Sequence, residues 1–107
     1  MPLDLGARGQ CQIGGNIATN AGGIRLIKFG PFKSYILGLE AVLANGEVLD
    51  MTSKIRKDNT GLDMKQLFIG SEGILGVITK ANILATSIDK FKSVVLLKVK
   101  DFQKVLQ

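Results

Sequence analysis

Apolar positions along this 107-residue chain fall in blocks separated by polar and glycine-rich stretches. The clearest block is SYILGLEAVLANGEVLDMTS, residues 34–53. Its apolar-rich half, YILGLEAVLA, runs into Asn45-Gly46, and EVLDM then alternates polar and apolar side chains. Asn-Gly between two such runs predicts a β-hairpin with a type I′ turn, because that turn needs positive φ at both central residues. ILGVITKANILAT, residues 74–86, has the β-branched density of a strand, with Gly76 marking a bulge or a close backbone approach. SVVLLKVK, residues 93–100, predicts a further strand that ends in alternation. A short helical turn is expected from Asn16 to Asn20, with Asn16 as N-cap and the following glycines as its stop. DMKQLFIGSEG predicts a helix capped by Asp63 and ended by Gly70, and DFQKVLQ opens another at the carboxyl end. KIRKDNTGLD is loop-like, and residues 1–12 are irregular, broken by Pro2, Gly6 and Gly9. The sum is an α+β fold: a mixed or antiparallel sheet of at least four strands with short helices on one side.

Composition narrows the function classes. The length suits one domain, and 46% hydrophobic with 21% charged residues is the balance of a globular chain. A net charge of +5 suits an anionic partner such as a phosphate-bearing ligand, a nucleic acid or an acidic protein region. The cations are scattered, however. The densest group, Lys90, Lys92, Lys98, Lys100 and Lys104, reads as a solvated face. The six aromatics do not interleave with a basic run, so no nucleic-acid partner is expected. A single cysteine, Cys11, excludes an internal disulfide. With no histidine, a His/Cys zinc or haem site cannot be built from this chain alone, and Ser-His or Cys-His nucleophilic pairs are excluded. No metal ligand is therefore assigned, and no catalytic acid or base is named. No apolar run approaches the roughly 20 residues that a membrane span needs, and MPLDLGARGQ lacks the apolar core of a secretion signal.

Two glycine clusters remain to be explained. The first is IGGNIATNAGG, residues 13–23, with Gly14, Gly15, Gly22 and Gly23 around Asn16, Thr19 and Asn20. Glycine loses more backbone freedom on folding than any other residue, so such density requires an unusual path or a close approach. The run can act as a phosphate cradle, with consecutive N–H groups as donors. It can equally be a tight loop whose side chains cap their own backbone. Neither the G-x-G-x-x-G nor the P-loop spacing is present. The second cluster, GSEGILG, residues 70–76, runs from a helix end into a strand. Glu72 between glycines is placed to bond a ribose hydroxyl or a neighbouring backbone, or to sit solvated in an ordinary turn.

PLDLGARGQCQIGGNIATNAGG, LGLEAVLANGEVLD, RKDNTGLDMKQLFIGSEG and LGVIT stand in one order and spacing. In these segments, from Pro2 to about Ala85, the chain resembles the second subdomain of the FAD-binding domain of the vanillyl-alcohol oxidase/p-cresol methylhydroxylase (PCMH) type. RKDNTGLDMKQLFIGSEG places it nearest the D-2-hydroxyglutarate dehydrogenase-like FAD-linked oxidases. The resemblance implies that Gly14, Gly15, Asn16, Thr19 and Asn20 line the pyrophosphate and flavin of FAD, with Gly22 and Gly23 shaping that wall. It implies that Glu72, Gly73, Gly76 and Ile78 lie along the cofactor, partly through backbone atoms. Residues 1–107 would then be a partial FAD-binding domain, with about 86–107 leading toward an absent substrate domain. Family members usually carry Thr where Ile74 stands and often Tyr where Leu62 stands, which removes polar contacts from both positions. The family's first FAD subdomain has no counterpart here, nor do the substrate domain's metal-binding histidines.

The implied activity is oxidation of a D-2-hydroxy acid, D-2-hydroxyglutarate first, by hydride transfer to FAD. Half the cleft is supplied by this chain, which alone is expected to be inactive. The alternatives are a D-lactate or glycolate dehydrogenase subunit, or a catalytically silent binding module. Expected partners are FAD, a missing first FAD subdomain or complementary chain, and the acid through the absent domain. Location would be mitochondrial in a eukaryote and cytoplasmic otherwise. Cys11 reads as a small buried apolar residue rather than a flavin anchor, and Arg25 and Lys28 as solvated surface.

Overall fold

The structure, a computed structural model, describes residues 2–87, 91 and 93–105. Three antiparallel strands form its centre: β1 (Ile36–Val42), β2 (Val48–Met51) and β3 (Val77–Ile83), in the order β2-β1-β3. The hairpin forms where the Asn-Gly signal sits, with Val42 opposite Val48 and Leu39 opposite Met51. Its turn is a different one. Gly46 donates its N–H to the Leu43 carbonyl (2.9 Å), and of the turn residues only Gly46 has positive φ, +85°. A single left-handed glycine after a tight turn makes a longer loop than the two-residue type I′ form. The Asn45 side chain stabilises it by accepting the Glu47 N–H at 3.0 Å.

The expected fourth strand is absent from the sheet. Residues 93–99 carry no regular structure, and none of their backbone groups is hydrogen-bonded among the described residues. Strand propensity acts only where a ladder partner accepts the N–H and C=O groups, and no described strand lies beside them. The α+β class stands with three strands.

The helices are shorter than their sequence signals. α1 (Ile13–Ala18) begins one turn earlier than expected, with Gln12 at its N-cap and no side-chain cap. Asn16 lies inside it, its N–H donating to the Gln12 carbonyl at 3.0 Å, so it is not a cap. Packing sets this boundary: Ile17 is fully buried, and the preceding turn, glycines included, follows from seating it. α2 (Leu26–Phe29) and a 3-10 turn over Phe32–Tyr35 arise where no periodicity announced them. α3 (Lys65–Phe68) starts after Met64, while the Asp63 carboxylate takes the Lys65 ammonium (2.6 Å) and the Gln66 amide (3.3 Å) rather than a backbone N–H. Gly70, at φ +84°, marks its end as expected. At the carboxyl end the helix is a single 3-10 turn over Phe102–Val105, and residues 106–107 lie outside the described residues.

The core is one layer between the helices and one face of the sheet. Ile17 of α1 and Phe68 of α3 meet Leu39 and Ala41 of β1, with Phe32 and Ile36 beside them. On the opposite face Glu40 accepts from the Thr79 hydroxyl (2.7 Å) and the Lys80 ammonium (2.6 Å). The Lys80 bond, then the Thr79 bond, hold the Glu40 carboxyl below its ordinary value of 4.5. Because the folded value is the lower one, Glu40 contributes stability that is present above about pH 4.5 and is lost as pH falls through the depressed value. Glu40→Gln should therefore flatten the acid limb of stability against pH and leave the slope near neutral pH unchanged. Urea midpoints from pH 3 to 7 check this, and an unaltered acid limb would refute the assignment.

Candidate functional site

Helix α1 is held at both ends by the second glycine cluster and the strand that follows it. At its carboxyl end the carbonyls of Ile17 and Ala18 have no i+4 N–H donor within the helix. Gly70 donates its N–H to the Ile17 carbonyl at 3.2 Å, and Glu72 donates to the Ala18 carbonyl at 2.9 Å. At the other end a Cβ on Gly14 would stand 3.1 Å from the Ile78 carbonyl, so the first helical turn rests directly on β3. Sequence-distant clusters are thereby joined into one unit by main-chain contacts.

Along that seam runs an open groove of about 540 Å³. Seven of the eleven expected site residues line it: Gly14, Gly15 and Thr19 from the first cluster, and Glu72, Gly73, Gly76 and Ile78 from the second. A Cβ built on Gly15 or Gly73 meets no atom within 4 Å, so the wall there is bare backbone facing open space. Gly76 is different: its Cβ would lie 2.6 Å from the Val42 carbonyl, a close approach of β3 to β1. Thr19 donates its hydroxyl to the Gly15 carbonyl at 3.0 Å, which fixes its side chain at the helix end. Glu72 sits at φ +52°, uncommon for a residue with a Cβ, and its carboxylate meets no cation among the described residues.

The other four expected residues stand behind this wall or beyond its end. Asn16 is buried and lines a separate cavity of about 190 Å³ with Leu3, Leu5, Arg8, Cys11 and Ile13. Asn20, at φ +50°, packs its Cβ against Gly70. Gly22 abuts Leu26, and Gly23, at φ +73°, leaves room only for the Asp4 carbonyl, which accepts the Ile24 N–H at 3.1 Å. Gln12, Ala18 and Val77 also line the groove, and nothing in their residue type singles them out. Arg25 is committed to Asp4 at 3.3 Å, a carboxylate shared with Arg8, and Lys28 lies over the Phe29 ring at 5.1 Å. Cys11 is half-buried.

A groove of about 410 Å³ elsewhere, beside Lys33, Tyr35, Arg56, Asp58 and Lys65, contains neither glycine cluster and mixes charges of both signs. Among the described residues no three His, Cys, Asp or Glu side chains gather as metal ligands, and no helix is long and apolar enough to cross a membrane.

Residues 1–52 match the family model of the FAD binding domain. Over all 107 residues the chain is 56% identical to a protein of Danio rerio named D-2-hydroxyglutarate dehydrogenase, mitochondrial, of which it covers 20%. An Arabidopsis thaliana protein of the same name is 67% identical over 84 residues, 78% of this chain and 15% of that protein. Among solved structures, alkyldihydroxyacetonephosphate synthase is similar with a TM-score of 0.52 and 30% identity, over 64% of this chain and 12% of that one. The chain spans about a fifth of the length of the curated relatives it matches.

Proposed function

We propose that residues 2–83 form one wall of an FAD cleft in a D-2-hydroxy acid dehydrogenase, a reading supported by the FAD binding domain match over residues 1–52 and by the likeness to proteins named D-2-hydroxyglutarate dehydrogenase. When bound, FAD supplies the acceptor for a hydride from the α-carbon of the acid, giving the 2-oxo acid; the relatives' names favour D-2-hydroxyglutarate. The observation that carries this reading is the bare backbone at Gly15 and Gly73, two glycines from separate clusters that line one groove. A diphosphate needs such a surface: donors without side chains between them and the phosphate oxygens. The N–H groups of Gly14 and Gly15 belong to the first turn of α1, which has no acceptor within the helix. Charge-assisted bonds of this kind contribute roughly 1.5–3 kcal/mol each. A carboxylate repels phosphate, so Glu72 fits a ribose hydroxyl rather than the diphosphate. Asn16, Asn20, Gly22 and Gly23 support this wall from behind, where they bury, cap or admit backbone.

The opposing wall, the substrate-binding part and the catalytic groups belong to a complementary polypeptide or region, since four-fifths of each relative lies outside the match. The location we propose for a eukaryotic source is mitochondrial, after the relatives' names. The test is co-expression of this chain with a polypeptide carrying the unmatched regions of the Danio rerio relative. A yellow pair whose flavin is bleached by D-2-hydroxyglutarate is expected, while the chain alone takes up little FAD. Stoichiometric flavin on the chain alone would overturn the half-cleft reading. A pair without flavin would overturn the cofactor assignment, bleaching by D-lactate or glycolate alone would move the substrate, and flavin without bleaching would leave a silent binding module.

A further inference from the structure

Helix α1 separates two spaces. Gly14, Gly15, Ala18 and Thr19 line the open groove, while Ile13 and Asn16 line the cavity of about 190 Å³. At about 100° per residue these two sets fall on nearly opposite faces of the helix. Ile17, on a third side, is seated in the core. On the cavity side a void replaces part of the packing that would otherwise hold the helix. The depth of α1 against the groove therefore depends on how the chain around it, residues 4–25, is tied.

One residue ties it. The Asp4 carbonyl accepts the Ile24 N–H at 3.1 Å, and a Cβ on Gly23 would overlap that same carbonyl, so glycine is required for the two segments to meet. The Asp4 carboxylate pairs with Arg25 Nε at 3.3 Å and with Arg8 Nη1 at 3.6 Å. The Asp4 side chain is 19% exposed, against 40% for Arg25 and 80% for Arg8, so the Arg25 pair is the better shielded from water and salt. Backbone and side chain of one aspartate thus hold adjacent residues, Ile24 and Arg25, just past the first glycine cluster. The main-chain bond is indifferent to the side chain at position 4, and the ion pair is not. Asp4 does not line the groove, so its charge reaches the site only through α1. We propose that Asp4 is a positioning residue for FAD: by holding Arg25 it sets the depth at which α1 presents the N–H groups of Gly14 and Gly15 to the groove. The inference rests on the FAD reading above and adds to it the residue that keeps the wall in place.

Asp4→Asn and Arg25→Gln each remove the ion pair and keep the Ile24 bond, so the fold should stand. In the co-expressed pair each should weaken FAD binding about fivefold, and the double variant no more than either alone, as one shared interaction requires. Arg8→Gln, at the longer and more exposed contact, should change it less than about twofold. Hydrogen exchange gives a reading that needs no flavin. The amides of Asn16 and Thr19, bonded to the Gln12 and Gly15 carbonyls, should exchange about fivefold faster in the Asp4→Asn chain, with those of β1 unchanged. Unchanged exchange in α1 would overturn the proposal, as would exchange that rises equally in β1, the sign of a general loss of stability. Additive losses in the double variant would overturn it too, and so would unaltered FAD affinity in both single variants. A wild-type pair without flavin would defeat the FAD reading itself and Asp4's role with it, whereas a yellow wild-type pair with unaltered variants would defeat this proposal alone.

Discussion

Gly38→Ala is expected to lower the unfolding free energy by about 2–4 kcal/mol, the range of a core overpacked by a group with nowhere to go. A Cβ at this position would overlap the Ser53 nitrogen and stand 2.6 Å from the Met51 carbonyl and 2.8 Å from the Thr52 carbonyl carbon. All three are backbone atoms, so no side chain can rotate aside. Relief would require moving the end of β2, which is held by the Leu39–Met51 pairing and by the Asp50 carboxylate accepting the Thr52 N–H at 2.9 Å. The register of β1 against β3 already shifts between Ile36 and Gly38, so the strand has used its slack there. Gly46→Ala is the control: its Cβ would meet nothing, and only the φ of +85° opposes it, at about 1 kcal/mol. Urea unfolding of the two variants separates close approach from conformational cost. Equal losses would mean that β2 does not leave β1 at Gly38 in the way described.

Gly15→Glu should do the reverse, leaving the fold intact and abolishing FAD uptake by the assembled pair. No atom lies within 4 Å of a Cβ at Gly15, and α1 has helical backbone there, so the substitution meets no strain. An acidic side chain in the first turn of a helix is mildly favourable, and replacing a helical glycine removes a cost of about 0.5–1 kcal/mol. Stability should thus hold or rise slightly. The same side chain would stand in the groove that Gly73 also lines, with a negative charge where a diphosphate would lie. Losing two charge-assisted bonds, about 3 kcal/mol, weakens binding at least about 100-fold. Flavin content and unfolding midpoint measured on one preparation check both halves. Retained flavin in a well-folded variant would place the diphosphate elsewhere.

The unequal legibility of these features in the sequence has physical causes. The hairpin was readable because Asn45-Gly46 and the alternation of β2 are local signals, whereas the choice of turn depends on how Leu43 and Glu47 pair across it. α1 was misplaced because its start is decided by the seat of Ile17 under the sheet, a contact with residues more than twenty positions away. The segment 93–99 has the propensity of a strand, and propensity specifies a state only when a neighbour completes its hydrogen bonds. Among the site residues, the glycines were visible as a cost needing a reason, yet two reasons share that signature. Gly15 and Gly73 leave open space, while Gly23 and Gly38 make room for backbone of the chain itself. Composition cannot distinguish a surface kept bare for a ligand from one kept bare for a neighbouring strand. Asn16 shows the same ambiguity for a polar side chain, since an amide suits a ligand and a buried helix position alike.

The joining of α1 to the second cluster has a consequence for how this segment can change over time. Its registration runs through three main-chain contacts in sequence: Glu72 on Ala18, Gly76 against Val42, and Ile78 against Gly14. Main-chain contacts are largely indifferent to side-chain identity, so substitutions between positions 70 and 78 are tolerated wherever glycine geometry is not required. They are intolerant of length. One residue inserted or removed between Glu72 and Ile78 would keep the helix tied at one end and displace the strand at the other. The stretch therefore behaves as a ruler, free in spelling and fixed in number of letters, while the exposed loop of residues 54–63 can lengthen without reaching the groove.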